Sequence, residues 1–191
     1  MKGRNCVAIG MDRRLGAQYK TLSTNFQRVY KMTDKCLTGF IGLAGDIQTF
    51  SSYLKSRLNL YQLKEGRPMG SKTVAHLVTN TLYSKRFGPY FIEPIIAGLD
   101  ENNEAYLATS DLIGCLTDSD NFFCVGPATE LLLGVCESYY RPDLGPNELF
   151  EVVAQSLMAG GDRDAFSGWG AVVYLITPEG ITAKTLQTRM D

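Results

Sequence analysis

The residues that come nearest to a catalytic pattern in this sequence are Asp164 and Ser167, which lie three positions apart. They fall in a short segment bracketed by Gly160-Gly161 and by Gly168. Glycine lets a second backbone or a substrate approach closely, and loops of this kind often carry function. The plainer interpretation is that Asp164 tightens a turn while Ser167 bonds to the local backbone. The pair alone does not decide between these two interpretations.

Histidine and cysteine offer little further chemistry. The single histidine, His76, lies beside Leu77 and Val78 on a predicted helix and cannot build a multi-histidine metal site. The cysteines are odd in number and show no Cys-x-x-Cys spacing. Most of them fall in apolar runs, which predicts reduced core residues of an intracellular protein. The five are Cys6, Cys36, Cys115, Cys124 and Cys136.

The charge balance argues against two classes of partner. Lys and Arg total 19 against 20 for Asp and Glu, and no basic run is present. Such a chain has no strong positive electrostatic field to attract nucleic acid or an anionic membrane, so we expect neither as a partner. The absence of a signal peptide and of an apolar span of about 20 residues favours a soluble protein that is not exported by the usual route. A length of 191 residues fits a single domain, 1–191.

A helix and a strand must position the segment that holds Asp164 and Ser167. Apolar spacing predicts a helix from Pro146 to Ala159, which Gly160-Gly161 would end by taking positive φ. The β-branched run Ala171–Ile176 predicts a strand buried on both faces, with Ile181–Gln187 as its hairpin partner.

The remaining elements come in alternating groups along the chain. Two helices are predicted to begin at caps Asp46 and Ser71, and a third covers Thr129–Tyr140. The order of strands, two helices, strands, two helices and strands favours an α+β fold in which two stacked sheets each carry a helical pair outside. The predicted strands are Cys6–Met11, Ala17–Thr21, Phe26–Met32, Cys36–Leu43, Tyr90–Leu99, Glu104–Thr109 and Phe122–Val125.

The neighbours of Asp164 give this segment a more specific meaning. Arg-Asp-Ala-Phe-Ser-Gly-Trp-Gly at 163–170, before a terminal strand pair, closely resembles the late signature of proteasome beta subunits. The resemblance covers nearly the whole chain and is most specific to the type-three branch of the family. It implies the four-layer αββα sandwich of N-terminal-nucleophile hydrolases, with mainly antiparallel sheets. The further segments that carry it are Arg57–Tyr61 with Glu65, Lys85–Tyr90 with Glu93-Pro94, Asp111–Cys115, and Cys136–Ser138 with Leu149–Glu151.

The resemblance also implies where catalytic machinery would lie. Active members use an N-terminal threonine whose α-amine is the base for its own hydroxyl, supported by a lysine. Asp12 matches the family's strand-end aspartate, which follows that threonine by sixteen residues, so the count back falls before Met1 and the first strand is expected to be truncated. Gly45 matches the oxyanion-donor glycine, and Asp164 and Ser167 match residues that support the threonine.

Two positions depart from the active pattern. Arg28 stands where the family has its supporting lysine, and a guanidinium keeps its proton where an amine can exchange one. Pro127-Ala128-Thr129 replaces a Ser-Gly-Ser loop, and proline removes both a hydroxyl and an N–H group. Asp12, Arg28, Gly45, Thr129, Asp164 and Ser167 are therefore interpreted as vestigial positions without catalytic residues among them.

These departures favour a non-catalytic structural subunit of the 20S proteasome core, which supports the particle that degrades ubiquitin-targeted proteins. An active threonine endopeptidase with an incomplete N-terminus is the alternative, and a small-molecule-binding α+β domain unrelated to the family is a third hypothesis. The resemblance implies a place in a seven-membered beta ring, against an alpha ring and the opposite beta ring, in cytoplasm and nucleus. The exposed aromatic runs predicted at Phe87–Phe91 and Tyr139-Tyr140 fit an obligate subunit.

No cofactor is required by these hypotheses, but the resemblance implies one candidate cation site. Its ligands would be the backbone carbonyls of Gly161, Asp164 and Ser167, with a chain-terminal carboxylate of a neighbour as a fourth. Such oxygens suit a structural Mg²⁺ or a monovalent ion and do not suit zinc. A turn closed by its own hydrogen bonds is the competing interpretation.

Overall fold

The strands and helices follow one another in the grouped order that the sequence predicts. A computed structural model describes residues 1–190, and all bounds below refer to that range. The strands are β1 Lys2–Gly3, β2 Cys6–Asp12, β3 Leu15–Ala17, β4 Lys20–Ser23, β5 Val29–Thr33, β6 Cys36–Gly42, β7 Ile92–Leu99, β8 Ala105–Ser110, β9 Leu116–Asp118, β10 Ala171–Thr177 and β11 Gly180–Leu186. The helices are α1 Ala44–Glu65, α2 Ser71–Tyr83, α3 Thr129–Tyr139 and α4 Pro146–Gly161.

Two antiparallel sheets form the centre of the molecule. One has the strand order β1-β2-β10-β11 and the other the order β5-β6-β7-β8-β9, while β3 and β4 form a separate hairpin. Strand β10 pairs with β2 in a register that sets Ala171 opposite Asp12 and Ile176 opposite Val7. The end of β2 therefore lies beside the loop that precedes β10, which is the loop holding Asp164 and Ser167.

Three apolar layers separate the sheets and helices. Val7, Ile9 and Ile176 of the first sheet face Leu37 and Leu107 of the second, and all five are buried. Helices α1 and α2 cover the outer face of the second sheet, and α3 and α4 cover that of the first. Burying a large aliphatic or aromatic side chain contributes about 1.5–3 kcal/mol, so each layer holds its neighbours firmly. The four-layer αββα sandwich is thereby confirmed.

Both predicted helix caps are wrong, since Leu43 takes the cap position three residues before Asp46 and Gly70 takes the one before Ser71. Helix α1 begins at Ala44, and Asp46 in its first turn accepts a hydrogen bond from the Phe91 N–H at 2.9 Å. Helix α2 has Gly70 at its cap, while the Ser71 hydroxyl donates to the Leu99 carbonyl at 2.9 Å. The two polar side chains instead join the helix starts to the two ends of β7, because tertiary acceptors and donors lie within reach.

Two predicted strands take a different form. Ala17–Thr21 contains the turn of the β3–β4 hairpin, with Gln18 at a φ of 52°, and so is not one strand. Phe122–Val125 is irregular, and the sheet edge beside β8 is taken by β9 instead. Phe122 packs with the α3–α4 layer and its ring lies 5.5 Å from that of Tyr140. A short apolar run shows that a segment is buried without showing that it is a strand.

The expectation that Gly160 and Gly161 stop α4 at positive φ is also wrong. The helix runs through both residues, and its cap, Asp162, has a φ of −66°. A Cβ atom at Gly160 would lie 2.3 Å from Cδ2 of Leu132 on α3. Gly160 therefore serves close packing of the two helices. Within residues 1–190, no helix has the length and hydropathy needed to cross a membrane.

Candidate functional site

A cleft of about 1280 Å³ opens between the two sheets, α3–α4 and the 163–170 loop. Five of the six predicted vestigial positions line it: Asp12, Arg28, Thr129, Asp164 and Ser167. Gly45 lies outside this lining, exposed in the first turn of α1. The only histidine, His76, is exposed on α2 and also lies outside the cleft. The topology thus brings together residues that are more than 150 positions apart in sequence.

Asp12 is the last residue of β2 and points into this cleft. Its Oδ1 atom lies 3.3 Å from Nε of Arg28. Its Oδ2 atom accepts hydrogen bonds from the N–H groups of Arg14 at 3.3 Å and Gly168 at 3.4 Å. Burial raises the pKa of the Asp12 carboxyl above its ordinary value, while Arg28 and the two N–H groups act in the opposite direction. Asp12 therefore depends on its partners to remain ionised.

Arg28 is held by several contacts within the protein. Besides its contact with Asp12, Nη2 donates to the Arg14 carbonyl, and the guanidinium lies 5.2 Å from the ring centroid of Phe26. A guanidinium keeps its proton in proteins, so it can hold a carboxylate but cannot accept a proton from a hydroxyl. The contacts of Arg28 are those of a structural ion pair.

Arg14 is a residue of this site that the sequence analysis missed. Its side chain is 6% exposed, and buried arginine is rare unless its donors are satisfied. Nε donates to the Thr21 hydroxyl at 3.0 Å, Nη1 to the Phe166 carbonyl at 2.9 Å and Nη2 to the Gln18 carbonyl at 3.0 Å. Arg14 thereby joins the β3–β4 hairpin to the 163–170 loop.

Asp164 and Ser167 make their closest contacts with each other. The Ser167 hydroxyl donates to Oδ2 of Asp164, and the Phe166 N–H donates to Oδ1 at 3.1 Å. The Asp164 N–H donates in turn to the Gly161 carbonyl at 3.3 Å. In this arrangement Asp164 tightens the turn, as the plainer interpretation holds, but Ser167 bonds to a side chain and not to the local backbone.

Thr129 is committed to the start of α3. Its hydroxyl donates to the Gly126 carbonyl at 2.6 Å, and its N–H donates to the same oxygen at 3.1 Å. Pro127, between them, lines the cleft without offering a donor. The hydroxyl of Thr129 therefore stabilises a helix start and is not aligned with a base.

The oxygen atoms of the turn at residues 161–167 decide whether it could bind a cation. The Gly161 carbonyl accepts one N–H and keeps a second lone pair, whereas the Asp164 carboxylate is occupied by Ser167 and Phe166. Within residues 1–190, no cluster of three or more His, Cys, Asp or Glu side chains could hold a metal. A cation at this turn would thus rest on neutral carbonyl oxygens, a set that fits Mg²⁺ or a monovalent ion.

The αββα sandwich, with a cleft where β2 ends and β10 begins, defines the class of protein. A family model described as "Proteasome subunit" matches residues 1–176, and the chain belongs to the proteasome subunit family. The hypothesis of an unrelated small-molecule-binding domain is therefore wrong.

Individual relatives indicate which branch of the family this chain resembles. The chain is 48% identical over 191 residues to "Proteasome subunit beta type-3" of Picea mariana and 49% identical over 191 residues to the protein of that name in Oryza sativa subsp. japonica. It is 47% identical over 192 residues to the Drosophila melanogaster protein of that name. Each alignment covers 100% of this chain and 94% of the relative. The resemblance to the type-three branch is confirmed.

Proposed function

We propose that this chain is a non-catalytic structural subunit of the 20S proteasome core and carries no catalytic residue of its own. It would occupy a seven-membered beta ring, against an alpha ring and the opposite beta ring, in cytoplasm and nucleus. Similarity to proteins named beta type-3 supports the place in the particle. The absence of catalytic activity is inferred from the contacts of the residues that line the cleft.

The observation that carries the proposal is the engagement of Arg28. At the position where the family has a supporting lysine, the guanidinium contacts Asp12 at 3.3 Å and donates to the Arg14 carbonyl. A guanidinium is not deprotonated in proteins, so this group cannot exchange a proton with a hydroxyl. In an N-terminal-nucleophile mechanism the lysine supports the α-amine that acts as base, and the contacts of Arg28 support the proposal that this assistance is missing here.

The hydroxyl groups that line the cleft support the same conclusion. Thr129 and Ser167 both donate to neighbouring oxygens, Thr129 to Gly126 and Ser167 to Asp164. The carboxylate beside Ser167 tightens a turn and accepts a second bond from Phe166. Neither hydroxyl is paired with a histidine or a free amine, which are the usual activating bases for such a nucleophile.

A covalent inhibitor directed at N-terminal threonine tests this proposal. The assembled particle would be treated with an epoxyketone, and each subunit would be weighed by intact-mass spectrometry. Catalytic subunits of the same particle serve as the positive control and gain the mass of the reagent. We expect this chain to keep its mass. A stoichiometric gain on this chain would support the active threonine endopeptidase instead.

Exposed aromatic side chains support assembly with other subunits. Phe87 is 99% exposed and Phe91 65% exposed, and both lie in the connection between α2 and β7. Tyr139 is exposed, whereas Tyr140 is half-buried and donates to the Lys2 carbonyl at 3.1 Å. Phe87, Phe91 and Tyr139 thus present apolar area of the kind that protein contacts cover.

We also propose that the carbonyls of Gly161, Asp164 and Ser167 hold a structural Mg²⁺ or a monovalent cation in the assembled particle. The lone pair left on the Gly161 carbonyl, and the hydrogen bonds that the Asp164 carboxylate already accepts from Ser167 and Phe166, support a site built from neutral oxygens. Crystals of the particle soaked in Mn²⁺ or Tl⁺ would show anomalous density beside the three carbonyls. A well-resolved map without density there would favour the turn closed by its own hydrogen bonds.

A further inference from the structure

Two thiols meet at the wall of the cleft. Cys124 lies in the irregular segment ahead of α3, and Cys136 lies in α3 itself. The Cys124 thiol donates to the Cys136 sulfur across 3.5 Å. Both residues line the cleft. Cys124 is half-buried and Cys136 is 3% exposed, so only a small solute such as hydrogen peroxide would reach the pair from there. Sulfur atoms in a disulfide lie about 2.05 Å apart, and an approach of about 1.5 Å separates this contact from a covalent bond.

We propose that Cys124 and Cys136 are a redox-responsive pair that a hydroperoxide converts to an intramolecular disulfide. In the first step the Cys136 thiolate attacks one peroxide oxygen, the O–O bond breaks, and an alcohol or water leaves as Cys136 becomes a sulfenic acid. In the second step the Cys124 thiolate attacks the Cys136 sulfur and displaces the hydroxyl as water. Two thiols lose two protons and two electrons, and the hydroperoxide takes up both.

The environment assigns different roles to the two cysteines. The hydrogen bond from Cys124, with further help from Ser156, lowers the pKa of the Cys136 thiol below its ordinary value against the effect of burial. Donating that bond, together with burial, raises the pKa of the Cys124 thiol. The thiolate is the reactive form of cysteine, so Cys136 is the residue that meets the oxidant and Cys124 the one that resolves it.

The other buried thiols are poor competitors. Burial raises the pKa of Cys36 to about 12, and burial also raises the pKa of Cys6. Cys115 is exposed at the start of β9 and is the thiol through which separate chains could cross-link. Oxidation inside one chain and oxidation between chains can therefore be told apart by removing Cys115.

A disulfide here would fix one wall of the cleft. It would close the segment that carries Pro127 onto α3, across a separation of 12 residues. Closing a loop of this length restricts the unfolded chain and stabilises the folded one. We expect oxidation to raise the melting temperature by about 5 °C or more and reduction to restore the original value.

Peptide mapping of the Cys115→Ser chain, purified in its assembled particle, tests the proposal. The particle would be exposed to a few equivalents of hydrogen peroxide, alkylated and digested without reductant. Trypsin alone leaves Cys124 and Cys136 in one peptide, 87–163, because Pro142 protects the bond after Arg141, but a protease that cuts after glutamate separates them at Glu130. We expect peptides 105–130 and 131–137 to appear linked, with a mass 2 Da below their sum, and to separate on reduction.

Single variants complete the test. The Cys124→Ala chain should accumulate a sulfenic acid at Cys136 that dimedone captures, and the Cys136→Ala chain should form neither product. If these variants fail to assemble, the mapping of the Cys115→Ser chain still decides the question. Recovery of Cys124 and Cys136 as separately alkylated thiols, or oxidation of Cys136 to sulfinic acid without linkage in the chain that retains Cys124, would overturn the proposal.

Discussion

Replacing Arg28 with methionine leaves the Asp12 carboxylate without its cation. Removing one partner of a buried ion pair costs about 3–5 kcal/mol. The two side chains remain 18% and 25% exposed, so solvent screens part of the charge. We therefore expect Arg28→Met to lower the free energy of unfolding by about 2–3 kcal/mol at pH 7.

The loss should depend on pH in a defined direction. Burial already raises the pKa of Asp12 above 3.8, and removal of Arg28 raises it further. The folded protein then binds this proton more tightly than the unfolded chain does. The contribution of Asp12 is therefore fully favourable below pH 3.8 and is lost as the pH rises through the folded-state pKa. The destabilisation by Arg28→Met should shrink to about 1 kcal/mol near pH 4, where lost hydrogen bonds and packing remain.

Trp169 provides a local reporter for this experiment. It is the only tryptophan of the chain and follows Gly168, whose N–H donates to Asp12. Urea unfolding would be followed by its fluorescence at pH 4, 5.5 and 7, at submicromolar concentration to limit association. The double variant Asp12→Asn/Arg28→Met is the matched control, because it lacks the titrating carboxyl and should show no such trend. An equal loss at all three pH values for the single variant would refute the reasoning.

Three further predictions concern packing and assembly. Gly160→Ala drives a methyl into Leu132 and should lower the urea stability by about 1 kcal/mol, whereas Gly134→Ala, with nothing within 4 Å, should raise it by about 0.5 kcal/mol. Phe87→Ser should leave the melting temperature of the chain unchanged, because the side chain is exposed. It should lower incorporation into particles about tenfold or more in competition with the tagged original chain, since about 1.5–3 kcal/mol of binding free energy from buried apolar area is lost. Equal incorporation would contradict a buried contact. The isolated chain should sediment as concentration-dependent oligomers that co-expression with other beta subunits rescues, and a stable 21.1 kDa monomer, unchanged on dilution, would show that partners are not required.

The layered fold was predictable because long periodic segments determine it. The apolar faces that carry Phe50 and Leu54 on α1, and Val74 and Val78 on α2, are visible in sequence and form one buried layer. The ends of elements were less predictable. Asp46 looked like a cap by type and position, but its carboxylate bonds to Phe91, which no local pattern could reveal. Hydrogen-bond partners far along the chain outweighed local propensity at both helix starts.

The contacts of Arg14 and Cys136 in the cleft could not be predicted from the sequence. The resemblance placed Asp12, Arg28 and Ser167 in one site because it brought a known topology with it. Nothing comparable could indicate that Arg14 would be buried against the 163–170 loop, or that Cys136 would meet Cys124 at 3.5 Å. Such contacts form only when separate secondary-structure elements pack together. For arginine and for cysteine at these positions, no sequence spacing predicts them.

The contacts at the end of β2 also give a structural reason for the charged cluster in this cleft. An ionised Asp12 is costly to bury, but its oxygens satisfy the N–H groups of Arg14 and Gly168, which the ends of the strands leave without ladder partners. Arg28 offsets the charge and also occupies the Arg14 carbonyl. Removing the whole cluster would leave these backbone groups unpaired, so Asp12 and Arg28 hold the 163–170 loop against the sheet whether or not a nucleophile ever reacts beside them.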